Sequence, residues 1–465
     1  MFKSTLSRFG MVLVAATTLA ACDDDPFDVV ELQTIAATAA ASGDLATLTA
    51  ALEAAGLVAT LEGTGPFTVF APRNAAFDAL GADVVAGLLE DGNVDFLSRI
   101  LTFHVVAGAE VFSTDLTDGQ TVTTVEGGEL TIGVAEGAVT VNGAAVVTAD
   151  IEATNGVVHI IDEVLVPSET DVYETAVLTA GTTTLASAVL AAELDEALQG
   201  DGPFTIFAPV NAAFEALDPF VLDQLLAEGN VDILSKVLTF HVIAGAEVFA
   251  ADLSDGQTVT TLQGQELTVD LSDAMDPRVN GVSITTTDID VENGVIHLVD
   301  EVIIPEFNVV ETAVLTENTQ TLAAAVAAAE LGDALSEPAG MGEAPFTVFV
   351  PVDAAFEALG TDRLDVILDP ASLELLQKIL TYHVIPGAIV EAGDLTDGQM
   401  ATTLAGADVT FDLSDAQDPK INGVSIIATD IGAENGVIHL IDGVLTQNLD
   451  IVDVATLEEI GRAHV

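Results

Sequence analysis

Six of the seven histidines fall at two repeated positions: His104, His241 and His383 in LTFHV, LTFHV and LTYHV, and His159, His297 and His439 in VVHIID, VIHLVD and VIHLID. An imidazole can ligate a metal, shuttle a proton, or use both ring nitrogens as hydrogen-bonding groups in a core. No cysteine cluster or H-E-x-x-H spacing accompanies these rings, and both sets lie on strongly apolar segments. That combination favours buried imidazoles bonded to the backbone over a metal centre. The one cysteine, Cys22, stands at the end of an apolar leader, and no G-x-S-x-G or Gly-rich phosphate loop occurs. With no nucleophile, base and orienter grouped by any motif, the chain is expected not to be an enzyme; among 74 Asp and Glu a carboxylate pair carries no information. Two stretches, DLSDAMDP with Asp270, Asp273 and Asp276 and DLSDAQDP with Asp412, Asp415 and Asp418, alternate acids with small residues as a calcium loop does. They lack the glycine and closing glutamate of an EF-hand, so a calcium site there competes with a solvated turn. No other cofactor is implied.

Three anchors must position these residues, and each occurs three times in the same order. The first is GPFTVFAPRNAAF (Gly65 to Phe77), GPFTIFAPVNAAF (Gly202 to Phe214) and APFTVFVPVDAAF (Ala344 to Phe356). The second is the LTFHV segment, whose histidines are spaced by 137 and then 142 residues, about one domain length. The third is NGVVHIIDEVLVP (Asn155 to Pro167), NGVIHLVDEVIIP (Asn293 to Pro305) and NGVIHLIDGVL (Asn435 to Leu445). Within a repeat, LATLTAALEAAGL (Leu45 to Leu57) has helical spacing, and PFTVFAP reads as a buried strand. Asn74, Asn211 and Asp353 are expected to N-cap the helix that follows each strand. NVDFLSRILTFHV, NVDILSKVLTFHV and SLELLQKILTYHV predict amphipathic helices with Leu97, Ile100 and Leu101 inward. Beyond them, Asp-Gly at Asp118, Asn142-Gly143 and Asn155-Gly156 punctuate β-rich runs as hairpin turns. A helical half followed by a β half predicts an α+β class.

The three anchors resemble the motifs of the fasciclin family: a TVFAP-x-N-x-AF box, a Tyr/Phe-His pair and a terminal NG-V-I-H box. The resemblance implies three tandem fasciclin-like domains, each a compact β-structure covered by helices, at 28–167, 171–305 and 308–446. It also implies extracellular or surface-anchored modules that mediate adhesion or matrix association, without an established common catalytic role. The family's adhesion patches have counterparts in Phe103-His104, Phe240-His241 and Tyr382-His383, and in the Asp232-Ile233 segment. Two copies have Phe for Tyr, and Ile233 lies on a helix face expected in the core, so packing is the competing assignment for all of these residues.

Ten Lys and Arg against 74 Asp and Glu give a net charge of −64, which excludes nucleic acid as a partner because phosphate binding needs clustered cations. Three of the ten cations, Lys3, Arg8 and Arg462, lie outside the three modules. Such a surface also fits a salt-adapted protein. Residues 1–21 form a secretory signal: cations at Lys3 and Arg8 precede an apolar run from Met11 to Ala21 that is too short to span a bilayer. Leu19-Ala20-Ala21-Cys22 resembles a bacterial lipobox, which makes Cys22 the lipidated residue and 22–27 an acidic tether. The expected location is therefore a bacterial envelope or surface, with a matrix protein, surface protein or polysaccharide as partner. The rival readings are a salt-adapted structural spacer without a specific ligand and a hydrolase. After the third module, 447–458 resembles the opening of a further repeat, while EIGRAHV (Glu459 to Val465) matches no position in the other units and looks like translated sequencing-adapter sequence. The competing view of this tail is a short terminal helix docked on the third unit.

Overall fold

A computed structural model describes residues 32–336, 345–446 and 449. The leader, Cys22, the acidic tether and residues 450–465 lie outside the described residues, as do 447 and 448. Each repeat folds into a seven-stranded sheet with helices packed on it, so the α+β expectation holds in all three.

The first module defines the plan. Its strands are β1 (Phe67–Pro72), β2 (Val105–Ala107), β3 (Thr121–Thr123), β4 (Glu129–Ala135), β5 (Ala138–Val141), β6 (Ala144–Ala153) and β7 (Gly156–Ile161), arranged β2-β1-β7-β6-β5-β4-β3. The first and third sequence anchors are thus neighbours: β1 pairs parallel with β7, from Phe67 opposite Gly156 to Pro72 opposite Ile161. Both strands are almost wholly buried, which explains their near-continuous apolar sequence. Gly156 is required by this pairing, because a Cβ there would lie 2.0 Å from the carbonyl oxygen of Phe67. A Cβ at Gly294 or Gly436 would likewise lie 2.1 Å from the matching oxygen of Phe204 or Phe346.

The hairpin expectations divide. Asn142-Gly143 forms the two-residue turn between β5 and β6, with positive φ at both residues. In the β6–β7 hairpin the turn falls one residue earlier than read from the sequence: Ala153 pairs with Gly156, so Thr154-Asn155 make the turn and the glycine is already in the strand. The N-cap expectation is also corrected. Asn74 starts the helix Asn74–Leu80 without capping it; its side-chain oxygen accepts from the Thr47 N–H, 3.0 Å away, at the start of helix Ala46–Ala54. Asn211 does the same for Thr184 and Asp353 for Thr321. Each polar residue bonds the first turn of an earlier helix across the fold, tying strand end to helix start.

The first three residues of each LTFHV or LTYHV segment end helices Val94–Phe103, Val231–Phe240 and Leu373–Tyr382, called motif helices below, with Leu97, Ile100 and Leu101 buried as the spacing predicts. The cores of the first two modules form one continuous apolar cluster, which includes Val84 and Leu88 from one and Tyr173 and Val189 from the other. Among the described residues no single helix is long and apolar enough to cross a membrane.

Candidate functional site

The motif helix stops where its histidine begins a second job. The His104 Nδ1 lies 2.8 Å from the Ile100 carbonyl, and its Nε2 accepts the Leu165 N–H at 2.9 Å. Acceptance at Nε2 fixes the neutral tautomer with hydrogen on Nδ1, which donates to Ile100. His241 repeats this with Val237 and Ile303, and His383 with Ile379 and Leu445, at the same distances. All three rings are buried, and desolvation of the charged form drives each pKa down to about 4. Each ring bolts the end of the motif helix to the segment leaving the last strand.

The second histidine set is bonded as completely. His159 Nε2 donates to the Val111 carbonyl at 2.8 Å, and its Nδ1 accepts the Asp150 N–H at 3.3 Å while the ring stacks on Phe70. His297 and His439 hold Val248 and Val390 in the same way and stack on Phe207 and Phe349. Burial lowers the pKa of both. The clamped loop is gripped from its other side by a threonine of the first anchor: Thr68 Oγ1 donates to the Ala109 carbonyl and accepts from the Val111 N–H, 2.9 Å each. Thr205 and Thr347 repeat this grip. With both nitrogens of all six rings committed to the backbone, these imidazoles have no free lone pair to offer a metal or a proton and no free N–H to offer an acceptor.

The other candidate residues are distributed unevenly. Phe103, Phe240, Tyr382 and Ile233 are buried with the histidines, and of the eight candidates for partner contact only Asp232 is exposed. The hydroxyl that distinguishes Tyr382 is spent internally, donating to the Asp408 carbonyl at 3.0 Å and accepting from Asn422. Packing, the competing assignment, therefore fits seven of these eight side chains. In the acidic stretches each carboxylate is already engaged: Asp270 and Asp273 accept from the Ser272 and Met275 N–H groups, and Asp276 pairs with Arg278. Asp412 and Asp415 make the same turns, while Asp418 pairs with Lys420 at 2.8 Å. Among the described residues no three His, Cys, Asp or Glu side chains are grouped where they could hold a metal ion. These carboxylates order a turn, and the geometry gives calcium no converging ligand set.

Sequence reasoning missed the most elaborate polar constellation, which is at the junctions. Arg99, on the outer face of the first motif helix, places its guanidinium 2.7 Å from Glu174 of the second module and 3.2 Å from Glu126, and also donates to the Glu169 carbonyl. The carboxylates beside it raise the pKa of Arg99 against the opposing effect of burial. Tyr173 donates to Asn93 at 2.7 Å across the same junction. Gly92 lies so close to the second module that a Cβ there would be 2.3 Å from Leu190. At the next junction Lys236, in the position of Arg99, lies 2.8 Å from Glu311 and 3.2 Å from Glu434, with its charge 5.7 Å from the Phe307 ring. The signal that could have found this was the cation shared by NVDFLSR and NVDILSK in a chain with few cations.

Three α+β modules, each with its first-anchor strand paired parallel to its third-anchor strand and a histidine-bolted motif helix, define a tandem-repeat protein. The Fasciclin domain model matches residues 43–167, 180–305 and 317–447, and the chain belongs to the fasciclin family. It is 32% identical over 350 residues to transforming growth factor-beta-induced protein ig-h3 of Sus scrofa, covering 74% of this chain and 48% of the relative. It is likewise 32% identical over 353 residues to periostin of Homo sapiens, covering 74% of this chain and 39% of the relative. The chain thus spans about half or less of these relatives. A solved FAS1 domain pair from the insect cell adhesion molecule Fasciclin I covers 56% of this chain and 97% of that one, with 20% identity and a TM-score of 0.29.

Proposed function

We propose that the protein is a surface-anchored adhesion or partner-binding protein, exported and held at a bacterial cell envelope by lipid on Cys22, whose modules engage a surface or matrix protein or a polysaccharide. Membership in the fasciclin family supports a function of the adhesion type. The observation that carries the reading is the repetition of one module on tightly built junctions. Exposed acids stand at matching positions of the three motif helices, Asp95, Asp232 and Glu374, so that one weak contact can be made three times on a fixed spacing. Linked weak contacts of this kind gain affinity through effective concentration. A second reading, a spacer without specific ligand, is favoured by the net charge of −64, which suits a solvated, self-repelling surface.

A pull-down from native cell surfaces with the module array as bait separates the two. The adhesion reading expects a defined partner that is competed by excess free array; recovery of nothing beyond an unrelated acidic control protein supports the spacer. Turnover by the same array on a panel of ester, glycoside and peptide substrates would instead establish a hydrolase. For the anchor, Cys22→Ser is expected to move the protein from membrane to soluble fractions, and unchanged membrane association would remove that part of the proposal.

A further inference from the structure

Asparagine followed by glycine is a reactive pair as well as a turn signal. The glycine nitrogen, with no Cβ beside it, can attack the asparagine Cγ; ammonia leaves, a cyclic succinimide forms, and water opens it to isoaspartate or aspartate. The chain holds six such pairs, two in each module, in two different settings.

Three of the pairs are locked. Asn155, Asn293 and Asn435 each accept the N–H that opens a helix, from Ile35, Val172 and Val309. Each also donates to two carbonyls, those of Leu61 and Gly63, Leu198 and Gly200, and Leu335 and Ser336. Their glycines lie in the parallel pairing, where even a Cβ would strike the carbonyl oxygen of Phe67, Phe204 or Phe346. The asparagine cannot swing toward its glycine without giving up three hydrogen bonds.

The other three pairs, Asn142-Gly143, Asn280-Gly281 and Asn422-Gly423, make a two-residue turn between paired strands, with positive φ at all six residues. Where a Cβ would stand on each of these glycines there is open space. In the first two a single bond holds the side chain: Oδ1 accepts the Thr131 or Thr268 N–H at 2.7 Å, and the amide NH2 has no partner among the described residues. Asn422 is held at both ends. Its Oδ1 accepts the Thr410 N–H at 2.9 Å, and its amide donates to the Tyr382 hydroxyl at 2.7 Å. Phe103 and Phe240 take the place of Tyr382 in the pockets that Asn142 and Asn280 also line, and a phenyl ring cannot make that bond.

We propose that Asn142 and Asn280 are sites of spontaneous conversion to isoaspartate, with water as the only co-reactant, and that the Tyr382 hydroxyl suppresses the same reaction at Asn422. The assignment gives a chemical consequence to the Phe/Tyr difference among the three motif helices. Isoaspartate carries the main chain through the side-chain carbons, so the oxygen that accepted from Thr131 or Thr268 becomes a peptide carbonyl displaced from the turn, and that end of the hairpin loosens. Each conversion also adds a carboxylate to a chain already at −64.

The test incubates the full chain at mildly alkaline pH, native and in guanidinium, and follows all six pairs by peptide mass spectrometry with fragmentation that separates isoaspartate from aspartate. In guanidinium the six should convert at similar rates, since only local sequence acts there. In the native chain Asn142 and Asn280 are expected to lead, with Asn422 about fivefold slower for its one extra hydrogen bond and the three locked asparagines slower by roughly tenfold or more. Phe240→Tyr should slow Asn280 about fivefold, and Tyr382→Phe should bring Asn422 up to the Asn280 rate. Amide exchange at strands Gly294–Val299 and Gly436–Ile441 shows that both variants stay folded. Native conversion of Asn142 and Asn280 no faster than that of the locked three would overturn the sites. Equal native rates at Asn280 and Asn422, or no slowing of Asn280 in Phe240→Tyr, would overturn the role of the tyrosine. The Thr131 amide is expected to exchange faster in chains converted at 142, and unchanged exchange there would refute the loosening.

Discussion

Replacing Arg99 with alanine leaves Glu174 inside the first junction without its counter-charge. The Glu174 side chain is only 6% exposed, and removing one partner of a buried pair costs about 3–5 kcal/mol. The Arg99 side chain is 28% exposed, so water can enter the vacated space and offset part of that cost. We expect about 2 kcal/mol, roughly a thirtyfold increase in local opening. Three linked modules do not unfold as one two-state unit, so the proper readout is native-state hydrogen exchange at the opening helix Val172–Leu178. The Thr175 amide, bonded to the Asp171 carbonyl at 3.0 Å, is a direct reporter. If charge compensation is the cause, Glu174→Gln in the Arg99→Ala background should recover most of the protection, because the amide keeps an oxygen for the Asp171 N–H. Less than a threefold change in Arg99→Ala, or no recovery in the double variant, would refute the reasoning. Lys236→Ala at the second junction should cost less, about 1 kcal/mol, because Glu311 is more open to water.

The cap Asp171 titrates in the opposite sense from most carboxylates: burial raises its pKa to about 6 against its hydrogen bond from the Glu174 N–H, so ionisation above that pH weakens the junction. Asp171→Asn, which reproduces Asn308 of the next module, should stabilise this helix at pH 7 by about 1 kcal/mol after allowance for solvent screening, an advantage that fades as pH falls from 6 toward 4. The bolting histidines respond to acid the other way. With folded pKa values of about 4 against 6.5 unfolded, their contribution is complete above pH 6.5 and is lost as pH falls through that window, by about 2 kcal/mol per module at pH 5. Denaturant melts in 1 M NaCl from pH 8 to 5 measure this, and a flat profile would mean that the rings are protonated in the native state. The melting temperature should climb between 0.1 and 1 M NaCl as carboxylate repulsion is screened over about 10 and then about 3 Å. Calcium at matched ionic strength should add nothing further; a saturable rise abolished by Asp273→Asn with Asp276→Asn would restore a calcium site to these turns.

The period, the α+β class and the amphipathic motif helix were legible in the sequence because each is written in local spacing. What escaped is contact between residues far apart in the chain. Asn74 looks like the cap of its own helix, yet it bonds the first turn of a helix 27 residues earlier. Asn155 looks like half of an Asn-Gly turn, yet its side chain gathers the Ile35 N–H and the Leu61 and Gly63 carbonyls. The first and third anchors were each recognisable as strands, but their parallel pairing joins the two ends of a module and has no local signature. The buried Tyr/Phe-His pairs show the same limit: an apolar run with one imidazole suited packing and recognition equally until the acceptors for both nitrogens were placed.

An equilibrium binding isotherm of the labelled array on native cell envelopes or extracellular matrix, taken at 0.15 M and 1 M NaCl, tests the proposed function most directly. A saturable component that unlabelled array displaces, and that weakens when the modules are supplied one at a time, is the predicted result. Uptake that rises linearly with concentration and ignores the competitor at both salt concentrations would contradict it and leave the array as a spacer.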